Sequence, residues 1–193
     1  TVYVTGVPGV GKTTLCRLLS ARWPEHFEHV SFGALIREQL ESCGVCISES
    51  DLRSNPTGLV TAAILESANN RLIELANCRE RSLPVLVVDS HCVSQQGTLF
   101  VATPDSADYI RAIRYSTVIH LYCESERNLS RGATQSVGRQ ARSPDDIELH
   151  ESLLRSATIT YSALAGCPAY FIDANRDADL VANEVAKVLG IAQ

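Results

Sequence analysis

The chain has 193 residues, is 45% hydrophobic, and carries a net charge of −5 with a mean hydropathy of +0.02. A chain of this size buries a core without disulfides, and no apolar run approaches the about 20 residues of a membrane helix. Its acidic balance argues against broad capture of nucleic acid, which needs a basic face.

The first predicted strand, Thr1–Thr5, opens directly into the glycine-rich stretch GVPGVGKTT (Gly6–Thr14), and a helical pattern follows over Lys12–Arg22. This start reads as a strand, not a leader. Further short apolar runs rich in β-branched residues lie at His29–Phe32, Pro84–Ser90, Thr117–Cys123 and Ala169–Asp173. Between them, helical patterns cover Ala34–Cys43, Thr57–Arg81, Asp105–Arg114, Pro144–Ala165 and Ala178–Leu189. Continuous hydrophobic strands alternating with helices predict an α/β fold, a five-stranded parallel sheet covered on both faces. With no repeat, low-complexity tract or linker, a single domain is expected. Two stretches fit no strand or regular core helix: SQQGTLFVATP after the third strand and RGATQSVGRQARSPDD after the fourth. Both are read as long loops, functional or disordered, near the carboxyl ends of strands. The seven cysteines are scattered and odd in number, which suits reduced thiols in a cytoplasmic protein. Cys43 and Cys46 have metal or redox spacing but no second pair or nearby histidine, and read as incidental.

Gly6, Gly9, Gly11, Lys12 and Thr13 fit G-x-x-x-x-G-K-[ST], the spacing of a P-loop between strand and helix. Glycines let successive N–H groups turn inward around a phosphate, and the helix start adds its positive dipole end. Lys12 would bridge the outer phosphates and Thr13 would offer its hydroxyl to Mg²⁺. Val10 and Thr14 complete the ATP-binding stretch. Asp89 ends the run VLVV, where a carboxylate organises Mg²⁺ through its water shell. His91, two residues on, reads equally as a group that orients an attacking atom or the metal's water and as one satisfying a backbone carbonyl. His150 reads as a packing or surface histidine.

GVPGVGKTT, SFGALIRE, VVDSH and the stretch from GRQAR to TITY, in this order, resemble the archaeal-type adenylate kinases and adenylate-kinase-like P-loop kinases. The resemblance implies Mg²⁺-dependent transfer of a phosphoryl group from ATP to a nucleoside monophosphate, with AMP the first expectation. It implies an acceptor-binding region at about 33–80 and a small mobile lid at about 127–145. By position, it places Arg37 on the acceptor phosphate, with Arg53 as a second arginine nearby. Arg139 falls in the lid over the transferring phosphoryl, Arg155 completes the phosphate clamp, and Arg131 packs near the donor nucleotide. Arginine suits these places because its planar fork binds phosphate oxygens through two bonds. The expected partner is a small-molecule acceptor, with neither membrane nor nucleic acid involved.

The chain departs from the family at Ala34, where others carry an acid, and at Val137, where lids of this type often carry arginine. The stretch Cys92–Pro104 is uncharged where relatives run through a Lys- and Pro-containing loop, and Gln95 and Gln96 there offer amides. Two other activities stay open on this scaffold. One is a kinase of a different small molecule, with Asp89 or His91 as base for an alcohol; the other is an ATPase switch or assembly factor.

Overall fold

The computed structural model describes residues 1–48, 51–52, 59–78, 84–96, 99–102, 107–135 and 143–192, without the side chains of 96 and 131–135. Its centre is a parallel sheet of β1 (Val2–Thr5), β2 (Phe27–Ser31), β3 (Val85–Asp89), β6 (Thr117–Tyr122) and β7 (Ala169–Asp173), in the order β2-β3-β1-β6-β7. The five apolar runs of the sequence are these five strands. Val2, Tyr3 and Val4 are each at most 2% exposed, as central strands covered on both faces must be. Fully burying one such side chain contributes about 1.5–3 kcal/mol.

On one face lie α1 (Lys12–Arg22) and α7 (Ala178–Val188), packed on each other, with α1 against β2 and β3. The other side carries α3 (Ala62–Asn77), α4 (Ala107–Ile113) and α6 (Pro144–Ala165), each touching the next, with α6 lying on β6 and β7. Between β2 and α3 runs α2 (Phe32–Ser42), and α5 (Ser125–Gln135) follows β6. Tyr3 sits between Tyr115 and Tyr161, with ring centres 5.1 and 5.5 Å away. Leu40, Leu52 and Ile64 form a separate small core beneath α2 and α3.

Local chemistry sets several boundaries. The α2 helix begins at Phe32, straight out of β2, two residues before the expected start at Ala34. The helix expected over Thr57–Arg81 is described as α3, which starts after Thr61, whose hydroxyl accepts from Ile64 N–H at 3.3 Å and caps it. Ser143 and Asp146 form a reciprocal capping box and Pro144 takes the first turn of α6, which ends at Gly166 in the left-handed conformation.

Two expectations fail, the second only in part. The stretch after the third strand is not a loop but an antiparallel pair, β4 (Val93–Gln96) and β5 (Leu99–Ala102), with Val93 opposite Ala102 and Gln96 opposite Leu99. Packing makes the difference. Val93 is buried in the main core, and Phe100 lies against it with its ring centre 5.5 Å from His150 in an edge-on contact. His150 is fully buried and bonds through Nε2 to the Val93 carbonyl at 2.9 Å, so the hairpin is pinned to α6. The second irregular stretch is partly helical, since α5 reaches Gln135.

Candidate active site

The sheet order places the site. The chain leaves β1 toward the β2 edge and leaves β3 toward the β7 edge, so β1 and β3 flank the point where the order reverses. Open α/β sheets bind ligands at the carboxyl ends of strands there. Gly6–Gly11 follows β1, and Asp89 is the last residue of β3, in register with Val4.

Gly6, Gly9 and Gly11 all have positive φ, at 143°, 92° and 112°. For Gly6 there is also no room for a side chain, since a Cβ would stand 2.3 Å from the Leu121 carbonyl oxygen. Gly11 caps α1 without any side-chain acceptor, leaving the first N–H groups of the helix to an anion. Val10 is buried and closes the turn through its N–H to Val7 O at 3.2 Å. The buried Lys12 ammonium donates to Gly6 O at 2.9 Å and to Val7 O at 3.1 Å, which places the cation inside the loop. Thr14 is exposed on the first turn of α1.

Thr13 and Asp89 meet directly. The Thr13 hydroxyl donates to Asp89 Oδ2 at 2.5 Å, and Asp89 is 6% exposed. A hydroxyl and a buried carboxylate at one point form the hard-oxygen pair that suits Mg²⁺, which takes few protein ligands and keeps several waters. No cluster of three or more His, Cys, Asp or Glu side chains able to hold a metal occurs among the described residues. The ion would therefore be held by Thr13, Asp89, phosphate oxygens and water, and would screen charge on the phosphates.

His91 Nδ1 lies 3.2 Å from Gly6 O, the carbonyl that also accepts from Lys12. A carbonyl only accepts, so Nδ1 carries the proton. Of the two readings of His91, this contact favours the carbonyl. The geometry also brings in His29, which the sequence did not single out as a site residue. From the neighbouring strand β2 its Nε2 reaches within 4.0 Å of Asp89 Oδ2, and burial lowers its tendency to protonate despite the carboxylate.

Arg37 stands in the second turn of α2, whose start lies beside Asp89 because Ser31 pairs with Asp89. Its Nε is buried and has no hydrogen-bond partner among the described residues. Arg155 lies on α6, with Nε donating to Glu151 Oε1 at 2.8 Å and its guanidinium carbon 4.8 Å from the Tyr122 ring centre. Burial would raise the Glu151 carboxyl, but hydrogen bonds and charge from His120 and Arg155 bring it below its ordinary value. Arg53 and Arg139 lie outside the described residues, and Arg131 is described only as backbone of α5. Gln95 is on β4, half-buried.

A parallel sheet of this order, with a glycine loop around a buried lysine and a Thr–Asp pair at its mouth, defines a P-loop phosphotransferase of the kinase type. The profile of the AAA domain family matches residues 5–149, and the chain belongs to that family. It is 26% identical to the adenylate kinase of Pyrococcus furiosus over 99% of this chain and 95% of that protein. It is 25% identical to the adenylate kinase of Methanopyrus kandleri over 91% of this chain and 90% of that one. Among solved structures, a shikimate kinase from Bacteroides thetaiotaomicron shares the fold, with a TM-score of 0.58, 18% identity, and 98% and 97% of the two chains covered. Among the described residues, no helix is long and apolar enough to cross a membrane.

Proposed function

We propose that this kinase transfers the terminal phosphoryl group of Mg·ATP to a nucleoside monophosphate, and that the monophosphate is AMP. The observation that carries this reading is Arg37. A buried guanidinium Nε–H without a partner among the described residues is costly unless a ligand accepts from it. Its place in the second turn of α2, a helix that starts beside Asp89, suits an acceptor phosphate next to the transferring one. The likeness to archaeal adenylate kinases over almost the whole chain supports the same acceptor.

In this reading Lys12 and Arg139 bear on the transferring phosphoryl, Thr13 and Asp89 on Mg²⁺, and Arg37 with Arg53 on the acceptor. Arg155 completes the clamp and Arg131 lies near the donor nucleotide. Charge develops on the phosphoryl oxygens in the transition state, so positioned cations supply most of the catalysis. No strong base is needed, because a monophosphate oxygen is already ionised and nucleophilic at neutral pH. His91, through Gly6 O, then sets the loop carbonyl that also holds Lys12.

The test is an acceptor panel with Mg·ATP: each nucleoside monophosphate, several alcohols such as shikimate and simple sugars, and no acceptor, with products separated. A nucleoside diphosphate formed from AMP well above the blank is the expected result. Phosphorylation of an alcohol instead, or equal ADP in every tube, overturns it. Arg37→Ala should raise the KM for AMP tenfold or more while ATP binding stays within about twofold. Equal loss of both would remove Arg37 from the acceptor.

A further inference from the structure

A buried chain of hydrogen bonds ties the central sheet to Arg155. His120 lies on β6 opposite Thr5, the last strand residue before the phosphate loop, and is fully buried. Its Nε2 is 2.8 Å from Glu151 Oε1, and its Nδ1 is 3.0 Å from Thr158 Oγ1. The Thr158 hydroxyl gives its single proton to the Leu154 carbonyl at 2.7 Å, so its oxygen accepts from Nδ1–H. The Glu151 carboxylate accepts from Nε2–H. His120 thus donates from both ring nitrogens and is clamped between strand and helix.

Glu151 passes this order on. Its Oε1 also accepts from Arg155 Nε at 2.8 Å, while its Oε2 is buried without a hydrogen-bond partner among the described residues. Among the described residues, only His120 holds that carboxylate to the sheet by a hydrogen bond. Arg155 Nε is committed to Glu151 and the guanidinium lies against Tyr122. What remains is the end of the fork that carries both Nη groups, which can bind two oxygens of one phosphate. A helix-surface Glu–Arg pair four residues apart contributes little and would not fix a side chain that is about half exposed. A carboxylate anchored from beneath by a buried donor does fix it.

We infer that His120 is a positioning residue for phosphoryl transfer: it holds Glu151, and Glu151 presets the Arg155 guanidinium. This rests on the reading of Arg155 as part of the phosphate clamp. Preset geometry raises kcat without tightening ground-state binding, because an arginine that must first be ordered loses part of its contribution in the transition state.

The experiment compares wild type with His120→Phe, Glu151→Gln, Arg155→Ala and the double variant His120→Phe/Arg155→Ala. Turnover is measured with Mg·ATP plus AMP and with Mg·ATP alone, beside thermal melting and the NMR signal of the Arg155 Nε–H. His120→Phe and Glu151→Gln should each lower kcat about tenfold with the KM for ATP within about twofold. The Arg155 Nε–H signal, slow to exchange in wild type, should be lost in His120→Phe. The double variant should be no slower than Arg155→Ala, because both act through one guanidinium. If Arg155→Ala loses turnover while folded His120→Phe keeps it, the inference is overturned and the clamp reading stands. If Arg155→Ala keeps full turnover in both assays, both are overturned. A double variant much slower than Arg155→Ala also refutes it, since His120 then acts by another route. Should His120→Phe not fold, Glu151→Gln at its helix position decides by the same comparisons. If AMP is not the acceptor, the assay without acceptor still reads Arg155.

Discussion

Gly6→Ala tests the link between the sheet and the phosphate loop. At φ 143° the backbone is strained for any residue with a side chain, at a cost of about 1–3 kcal/mol. The added methyl would lie 2.3 Å from Leu121 O and 3.3 Å from Leu121 C, both backbone atoms of the adjacent strand β6. A rotamer change cannot relieve that contact, so strand or loop must shift, which adds about 1–3 kcal/mol. A total near 4 kcal/mol lowers Tm by about 8–16 °C in a chain of this size. Gly44→Ala is the control: φ is 81° there, but nothing lies within 4 Å of the added carbon. It should lose only the strain cost of about 1–2 kcal/mol, or a few degrees. The displaced Gly6 carbonyl also holds Lys12 and His91, so Gly6→Ala should lower ATP turnover while Gly44→Ala leaves it unchanged. Thermal melting of the two variants side by side is the assay. Melting temperatures within about 3 °C of each other would refute the close approach to β6.

Asp89→Asn should cut Mg·ATP turnover about a hundredfold or more. Nucleotide binding without Mg²⁺, followed by fluorescence titration, should change by less than about threefold, and a large loss there would take Asp89 away from the metal. Glu151 has a folded-state pKa below its ordinary value of 4.5, so its stabilisation is full above that pH and disappears as pH falls through the lower, folded value. Glu151→Gln should therefore flatten the loss of Tm below about pH 4.5, and an unchanged acid limb would count against the His120–Glu151 contact. The thiols should divide by burial. Cys43, Cys46 and Cys78 are exposed and should react readily with an aromatic disulfide reagent at pH 8. Cys16, held neutral by burial and the Asp89 charge, and Cys92, held neutral by burial, should react only on unfolding. Mass spectrometry of the labelled native protein decides, and early labelling of either buried thiol would contradict the packing around the loop.

What the sequence disclosed follows how local each signal is. The five strands and the helices between them, α5 excepted, were readable, because buried parallel strands are continuous apolar runs and need no partner to be seen. The phosphate loop was readable for the same reason: its glycines, Lys12 and Thr13 lie within eight residues. The β4–β5 hairpin was not. Each strand has four residues, Ser-Gln-Gln breaks the apolar pattern, and only Val93 and Phe100 docking on the main core and His150 settle the structure. His29 was hidden among strand residues until β2 was placed beside β3. Glu151 and Arg155 stand four apart on one helix, a spacing that could have been noticed. His120 could not have been, since 31 residues and a change of element separate it from Glu151.

The two sides of the reaction are built with different rigidity. Gly6 O accepts from Lys12 and His91, Asp89 Oδ2 accepts from Thr13, and both stand at the ends of neighbouring central strands. A shift of either strand would disturb the lysine, the hydroxyl and the carboxylate together, so the triphosphate side is fixed by the main core. Arg37 rises instead from α2, which reaches the main core through Phe32 and Leu35 and packs its far end on α3 over the small core of Leu40, Leu52 and Ile64. On the proposed reading of Arg37, changes in that small core can shift the acceptor side while Lys12, Thr13 and Asp89 keep their places. On this architecture, acceptor choice can drift while the phosphoryl chemistry stays put. The acceptor panel therefore carries more information than any further variant of the phosphate loop.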